Sequence, residues 1–420
     1  MGARHWIVGA LACLPWLHIS AAAADYPPEL PAIEQVLSAI DESPEVRSAL
    51  ALGTASAAER RQLIAGPHEW SMQVGYQRRR ADESPQMRRF NEWDVALERP
   101  LRRPDKARID RELGDQRVVE AAAMLADARH EASKRLLGLW YQWLRERASA
   151  DVASRQAELS AREYAAIARR KDLGDASSLE AIQAQAASAR AEALARQATD
   201  RAQRAGLVLR EQFPQVAAAP LPPLPAPILP AGSSQELADA FIERDQGVRV
   251  ARAAAERSRL ESQRAAAERR PDPRVGVRFA SERGAAERVL GVYVSIPLGG
   301  EARRAAADAG AARADALDRL VEARLRQLSG EARSLESAVG ADVLRWRSAD
   351  ESARLQDEAA KRVATGSALG ESAVADVLLA RRNALEAALA AVGAQVDALE
   401  NRARLLLGAR QLWNFDVADK

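Results

Sequence analysis

The sequence has 420 residues, of which 47% are hydrophobic, only 4% are aromatic and 29% are charged, with a formal net charge of +2. Ala, Arg, Glu and Leu dominate, which is a composition typical of long helices and coiled coils. The near balance of charge argues against nucleic acid as a partner, and the single cysteine, Cys13, excludes an intrachain disulfide.

The first 24 residues have the layout of a secretory signal peptide. Arg4 precedes an apolar run over residues 6–19, and small residues follow up to Ala24. We expect cleavage after Ala24, which would export the chain and remove Cys13. The alternative is a lipoprotein modified at Cys13, although that signal requires Leu where Ala10 stands.

The remainder of the chain contains a duplicated unit. Pro100 and Pro297, each followed by Leu, are 197 residues apart, and Gly174 and Gly370, each in a similar polar segment, are 196 residues apart. Two independent landmarks that agree to within one residue indicate a repeat. We expect a first repeat at 25–215, a Pro-rich linker at 216–234 and a second repeat at 235–420.

Each repeat shows two strands followed by two long helices that are separated at a glycine. Alternation with a period of two marks the strands, and an Ala-rich charged pattern marks the helices. In the first repeat we expect strands at about 69–78 and 91–99, a polar loop over Arg78–Asn91, and helices at about 105–172 and 176–213. In the second repeat we expect strands at about 273–281 and 288–297, and helices at about 301–365 and 371–413.

Each predicted strand has one apolar and one polar side, because successive side chains point to opposite sides of a strand. Two hairpins do not make a stable sheet alone, so we expect other protomers to close the sheet, with lipid on the apolar side and water on the polar side. The residues expected to face lipid are Trp70, Val74, Trp93, Val95, Val277, Val292 and Val294. Those expected to line a lumen are Gln73, Gln77, Glu92, Asp94, Arg274, Arg278 and Tyr293.

The repeat, the two hairpins, the Pro-Leu junctions at Pro100 and Pro297 and the breaks at Gly174 and Gly370 resemble the TolC family of outer-membrane efflux channels. The segment from Ser295 onward, SIPLGGEARRAAADAG, is similar to the family's second strand-to-helix junction. The resemblance implies a mainly α-helical homotrimer with a twelve-stranded transmembrane β-barrel, four strands from each protomer, continuous with a long periplasmic α-helical barrel. It also implies passive conduction in the outer membrane of a Gram-negative bacterium, with a periplasmic adaptor and an inner-membrane pump, such as one of the RND type, as partners.

The family resemblance also assigns roles to residues at the helix breaks. Asp376 and its counterpart Glu180 would lie at the pore entrance, although a second acidic position of the family pattern is occupied by Leu379 here. Ordinary helix-start acids that complement the helix dipole are the alternative for both residues. The hairpin tips that would contact the adaptor contain Gly174, Asp175, Ser177, Gly370, Glu371 and Ser372.

Two other classes of protein are alternatives to a channel. An enzyme is disfavoured because His68 and His130, the two histidines of the exported chain, have neither metal-ligand spacing nor a neighbouring nucleophile, and no catalytic residue, cofactor or metal site is expected. A periplasmic coiled-coil adaptor would explain the helices but not the four strands. The short second hairpin resembles the heavy-metal branch of the family, yet metal, drug and peptide export all stay open.

Overall fold

The computed structural model describes residues 26–83, 86–216, 223–230, 233–413 and 415. The expected signal peptide, including Cys13, and parts of the Pro-rich linker lie outside these described residues. The first half contains α1 (Ile33–Asp41), α2 (Pro44–Ala65), β1 (Ser71–Glu83), β2 (Gln86–Pro100), α3 (Pro104–Asp172) and α4 (Ser178–Gln212). The second half repeats that order with α5 (Ser234–Arg244), α6 (Gln246–Ala267), β3 (Arg274–Glu282), β4 (Glu287–Ser295), α7 (Glu301–Ala368) and α8 (Val374–Gly408).

The four strands form a single antiparallel sheet in the order β1-β2-β3-β4. The two hairpins join through β2 and β3, whose ladder runs from the pair Trp93 and Ser281 to the pair Pro100 and Arg274. The α-helices connect to the strands at one end of the sheet, and the two hairpin turns lie at the other end. Within the described residues, one edge of β1 and one edge of β4 have no partner strand.

The helices form two long antiparallel hairpins, α3 with α4 and α7 with α8. With 69 residues, α3 extends about 100 Å at ~1.5 Å per residue. Pro104 begins α3 at a first-turn position, where its missing amide hydrogen would have no helical partner. Alanines such as Ala150, Ala198 and Ala202 fill the contact between α3 and α4, so the two helices approach closely.

The main hydrophobic core lies about halfway along α3. Trp140 and Tyr141 are fully buried there, among residues of α1, α8 and the end of α4. The indole of Trp140 donates a hydrogen bond of 2.9 Å to the carbonyl oxygen of Glu29, which ties the N-terminal segment to α3. The Trp413 indole donates to the Tyr26 hydroxyl at 3.0 Å, so both ends of the described chain meet at this core.

The predicted loop over Arg78–Asn91 is wrong. The strands continue through it, with Arg78 opposite Asn91 and Arg80 opposite Arg89, up to Glu83 opposite Gln86. Sequence periodicity missed this extension because polar residues occupy both sides of the ladder, so no apolar alternation marks it.

The helix predicted at 371–413 is shorter at both ends. Glu371, Ser372 and Ala373 precede the first turn of α8, and α8 stops at Gly408. The stop has a local cause, because Arg410 takes a positive φ of 57° and the Gln411 amide turns back to the Leu406 carbonyl oxygen at 2.9 Å.

Candidate channel wall and entrance

The apolar residues of all four strands fall on one side of the sheet. The ladder places Val74 opposite Val95, Val95 opposite Phe279, and Val277 opposite Val292. Most side chains on this side are exposed in the protomer, and Val292 reaches 80%, whereas Val95 and Val275 are half-buried. Six of the seven residues expected to face lipid lie on this side of the sheet. The seventh, Trp70, directly precedes β1 and lies beside Arg99 of the same side. A sheet face this apolar and this exposed needs a non-aqueous environment or a cover.

Aromatic rings lie at both ends of this apolar side. Toward the hairpin turns, Tyr76 is opposite Trp93, whose ring centroid is 5.6 Å from that of Phe279. Toward the helices, the guanidinium carbon of Arg99 lies 5.6 Å from the ring centroid of Trp70. Aromatic girdles at both interfaces are a feature of membrane β-sheets, because such rings combine an apolar body with a polar edge.

The opposite side of the sheet carries polar groups that bind one another across the strands. The Gln77 amide donates to the Glu92 carboxylate at 2.9 Å, and the Arg278 guanidinium lies 3.4 Å from the Asp94 carboxylate. Arg274 lies 3.5 Å from the Glu98 carboxylate, to which the Tyr293 hydroxyl also donates at 3.2 Å. This side therefore has pairs of opposite charge and suits contact with water.

Glu92 is less accessible than the other residues expected to line a lumen. Its side chain is only 3% exposed, because the Arg79 guanidinium at 2.9 Å and the backbone amide of Arg283 at 3.1 Å cover the carboxylate. Glu92 therefore ties the two hairpins together and does not present an open carboxylate. Asp94 and Glu98 on the same side are more accessible, with side chains 24% and 27% exposed. Strand alternation alone did not single out Glu98.

Gly276 has a packing role that sequence alternation alone did not indicate. It stands directly opposite Tyr293, and a Cβ at Gly276 would come within 2.4 Å of the Tyr293 ring. The absence of a side chain therefore lets this ring lie across β3, which directs the Tyr293 hydroxyl to Glu98.

A buried ionic cluster joins the sheet to the helices. Lys106, in the first turn of α3, is fully buried, and its ammonium nitrogen lies 3.2 Å from the carboxylates of both Glu268 and Asp272. Burial would raise the pKa of Asp272, but the backbone amide of Arg103 and the Lys106 ammonium outweigh it and hold this pKa below its usual value. Nearby, Asp110 binds Arg102 and Arg264.

This cluster fixes the geometry of the joint. Lys106 and Asp110 belong to α3 of the first repeat, whereas Glu268 and Asp272 lie between α6 and β3 of the second repeat. The pairs therefore connect the two repeats at the place where the sheet ends. No motif in the sequence marked them, because the partners are about 160 residues apart and the chain contains many other charges.

Both helix breaks are turns closed by a glycine with a positive φ. Gly174 has φ 85° and Gly370 has φ 84°. The Asp175 amide donates to the Arg170 carbonyl oxygen at 2.8 Å, and the Glu371 amide donates to the Gly366 carbonyl oxygen at 2.8 Å. These are the hydrogen bonds of a Schellman motif, in which glycine is favoured because it tolerates the left-handed conformation.

Glu180 and Asp376 occupy the same position, the third residue of the returning helix, but their surroundings differ. The Glu180 carboxylate accepts hydrogen bonds from the Ser177 amide at 2.7 Å and the Ser177 hydroxyl at 2.8 Å, which completes a capping box. These two bonds lower the pKa of Glu180. The residue before α8 is Ala373, which has no side chain to form such a cap, and Asp376 is exposed.

The two tips are packed together. Val374, the first residue of α8, is buried with Ile167, Ala181 and Ala184 of the other helical hairpin. Slightly further from the tips, the Arg381 guanidinium lies 2.7 Å from the Glu163 carboxylate, and both side chains are largely buried. The tip residues themselves are more open, with Leu173 exposed at 78% and Leu369 at 71%.

The two histidines are placed apart. His68 lies next to the junction, with Nε2 3.5 Å from the Asp272 carboxylate. His130 is half-buried on α3, where burial and the nearby Lys134 lower its pKa. Among the described residues, no three His, Cys, Asp or Glu side chains are grouped so as to hold a metal ion.

No helix in the described ranges is both long enough and apolar enough to cross a membrane.

Several solved structures share this fold over almost the whole chain. OprN, described as an outer-membrane channel, matches with a TM-score of 0.76 and 19% identity, covering 93% of this chain and 92% of OprN. VceC, an outer membrane protein of Vibrio cholerae, matches at 0.73 and 16% identity, covering 91% and 96%. The CmeC outer membrane channel of Campylobacter jejuni matches at 0.74 and 12% identity, covering 97% and 94%.

No protein-family model matches the sequence, and no curated protein sequence matches it significantly. At the low identities of the solved structures, the likeness concerns the fold. The chain therefore has the fold of the outer-membrane channels of the TolC family.

Proposed function

We propose that this protein is an outer-membrane channel that conducts exported substrates passively, as one part of an efflux system with a periplasmic adaptor and an inner-membrane pump. The observation that supports this proposal best is the four-stranded sheet at the end of the long helices. Its register aligns one apolar and one polar side across all four strands. The shared fold with solved outer-membrane channels supports the same function.

Three protomers would complete the barrel. The edges of β1 and β4 are unpaired within the protomer, and an exposed sheet edge favours pairing with another chain. Joining β4 of one protomer to β1 of the next gives a closed barrel of twelve strands. The apolar side would face lipid, and the pairs of Arg274 with Glu98 and Arg278 with Asp94 would line the lumen.

The helical end would form the periplasmic tube and its entrance. The paired tips at Gly174 and Gly370 would contact the adaptor, since they present exposed Leu173 and Leu369 beside polar Asp175, Ser177, Glu371 and Ser372. Of the two acidic candidates for the entrance, Asp376 is favoured. Its carboxylate is exposed and α8 has no side-chain cap, whereas the Glu180 carboxylate is engaged in the cap of α4.

Cysteine labelling tests which side of the sheet faces water. The sequence has no cysteine after Cys13, so single-cysteine variants give an unambiguous signal. In protein reconstituted into lipid, Tyr293→Cys should react with a small water-soluble thiol reagent, whereas the neighbouring Val292→Cys should not. Equal reaction at both positions would contradict the proposed arrangement.

Cell fractionation separates the channel from the adaptor alternative. A channel should be found in the outer membrane, whereas an adaptor should be released with the periplasm or found with the inner membrane. Recovery outside the outer-membrane fraction would favour the adaptor.

A further inference from the structure

The extension of the first hairpin carries a cluster of arginines on the apolar side of the sheet. Side chains at Arg78 and Arg80 of β1 and at Arg89 of β2 continue the rows of Tyr76 and Trp93 toward the hairpin turn. Arg288 of β4 lies on the same side, because it is paired with Ser281, which is paired with Trp93. All four arginines are exposed.

These arginines have few compensating charges. Arg80 lies directly opposite Arg89, and like charges at opposed positions of a ladder destabilise it. Arg78 contacts a neutral group, the Asn91 amide oxygen, at 3.3 Å. Within the part of the chain that the structure describes, no carboxylate lies within ion-pair distance of Arg80, Arg89 or Arg288. Asp82 is the acidic residue on this side of the extension.

The other side of the same hairpin is different. Arg79, the neighbour of both Arg78 and Arg80, is paired with the Glu92 carboxylate at 2.9 Å and lies over the Phe90 ring. Charge is therefore compensated on the polar side of the sheet and left uncompensated on the apolar side. This asymmetry indicates an anion supplied from outside the protomer.

The arginines lie at the depth where lipid phosphates are found. Arg78 and Arg80 are two and four residues beyond Tyr76, which is about 7 and 14 Å along a strand. With strands tilted by about 45°, these distances become roughly 5 and 10 Å along the membrane normal. The headgroup region extends about 5–8 Å beyond the hydrocarbon on each side. Arg78 falls within this region, and the long side chain of Arg80, just beyond it, can reach back to meet phosphate oxygens.

We propose that Arg78, Arg80, Arg89 and Arg288 form a binding site for the phosphate groups of an anionic membrane glycolipid in the outer leaflet. The proposal rests on the proposed function, because this side of the sheet meets lipid only if the sheet is part of a membrane barrel. A guanidinium binds phosphate through two parallel hydrogen bonds, so a phosphate between Arg80 and Arg89 converts their repulsion into attraction.

Binding of bisphosphorylated lipid A to the purified full-length protein in detergent tests this site. The double variant Arg80→Gln/Arg89→Gln should bind lipid A about tenfold more weakly or worse, since charge-assisted hydrogen bonds are lost. The matched control Arg204→Gln/Arg326→Gln removes two exposed helix arginines and should bind as the unchanged protein does. A third variant, Arg80→Lys/Arg89→Lys, keeps the charge and should bind with intermediate affinity.

Equal affinity of the unchanged protein and the glutamine variant would overturn the proposal. So would a DNA oligonucleotide that binds as tightly as lipid A and loses affinity in the same variant. Single-channel conductance of each variant separates this inference from the proposed function. A protein that conducts normally without binding lipid A refutes the lipid site alone, whereas a protein that is absent from the outer membrane and does not conduct refutes the function as well.

Discussion

At the scale of single residues, buried charge decides how the sheet is attached to the helices. Lys106 is fully buried between two carboxylates of the other repeat. A buried charge is tolerated only when it is paired, and removing Lys106 would weaken the pairing of both carboxylates. Lys106 therefore holds the angle between the sheet and α3, at a place where the chain changes from strand to helix within four residues.

Replacing Lys106 by Met should destabilise the folded protein by about 1–3 kcal/mol. Glu268 and Asp272 lose their shared cation, although Glu268 keeps Arg264 and Arg303 as partners. The control is Lys134→Met, which removes an exposed lysine paired with Glu131 at 2.8 Å and should cost less than about 1 kcal/mol. Thermal unfolding followed by circular dichroism measures both. Similar losses in the two variants would show that burial of Lys106 has no energetic consequence.

The pH dependence of stability tests whether the loss of ionic pairing causes the destabilisation of Lys106→Met. The pKa values of Asp272 and Glu268 are lowered in the folded protein, so their contribution is present above the usual carboxyl pKa of about 4 and is lost as the pH falls below it. Protonation also removes the charge of the two carboxylates that have lost Lys106 in Lys106→Met. The difference in stability between this variant and the unchanged protein should therefore shrink on acidification, and a constant difference would contradict the ionic explanation.

Asp376 and Glu180 should respond differently to neutralisation. Asp376→Asn should reduce cation selectivity in single-channel recordings, because it removes an exposed charge at the proposed entrance. Glu180→Ala should leave selectivity unchanged and should loosen the start of α4, because alanine cannot accept the two hydrogen bonds from Ser177. Hydrogen exchange at the first turn of α4 detects the second effect. Unchanged selectivity in Asp376→Asn would remove this residue from the entrance.

At the scale of elements, the sequence predicted the position of the strands and long helices well but not their ends. Period-two alternation located the strands because each has one apolar side, and the Pro-Leu and glycine landmarks revealed the repeat. The extension of the first hairpin has polar residues on both sides and therefore shows no alternation. For Glu180 the sequence predicted a pore-entrance role or a contact with the helix dipole, and not a capping box. The Lys106 cluster depends on contacts between repeats, which no local pattern reports.

The helix breaks should require glycine. Gly174→Ala should destabilise its tip by about 1–2 kcal/mol, since a side chain is strained at this positive φ. Gly330→Ala is the opposite control, because Gly330 lies inside α7 with no atom within 4 Å of an added Cβ, and it should stabilise the helix by about 0.5–1 kcal/mol. Hydrogen exchange of the tip amides and thermal unfolding measure the two effects. A stabilising effect of Gly174→Ala would contradict the assigned turn.

The two sides of β4 should differ in their tolerance of charge. Val292→Arg should disfavour barrel assembly by ~2–4 kcal/mol, because the row of Val292 lies between the two aromatic ends of the apolar side. Tyr293→Arg should be tolerated, because its side of the sheet carries the Glu98 carboxylate as a partner. The yield of heat-resistant oligomer on gels measures assembly. Equal yields from the two variants would show that the sides have been assigned wrongly.

At the scale of the whole molecule, the chain joins a sheet and a set of long helices whose surfaces suit different surroundings. The sheet has an exposed apolar side and unpaired edges, which in the proposed barrel would meet lipid and neighbouring protomers. The long helices are packed through alanines and covered with charge, which suits a tube in water. The duplicated topology places all the helices at one end of the sheet, and the ionic cluster around Lys106 fixes the joint between the two parts.

Single-channel recording in planar lipid bilayers tests the proposed channel most directly. The purified full-length protein should insert as a trimer and give stable conductance steps. Asp94→Lys should shift the ion selectivity toward anions, because Asp94 belongs to the polar side of the sheet. A correctly folded oligomer that inserts but shows no conductance would contradict the proposed function.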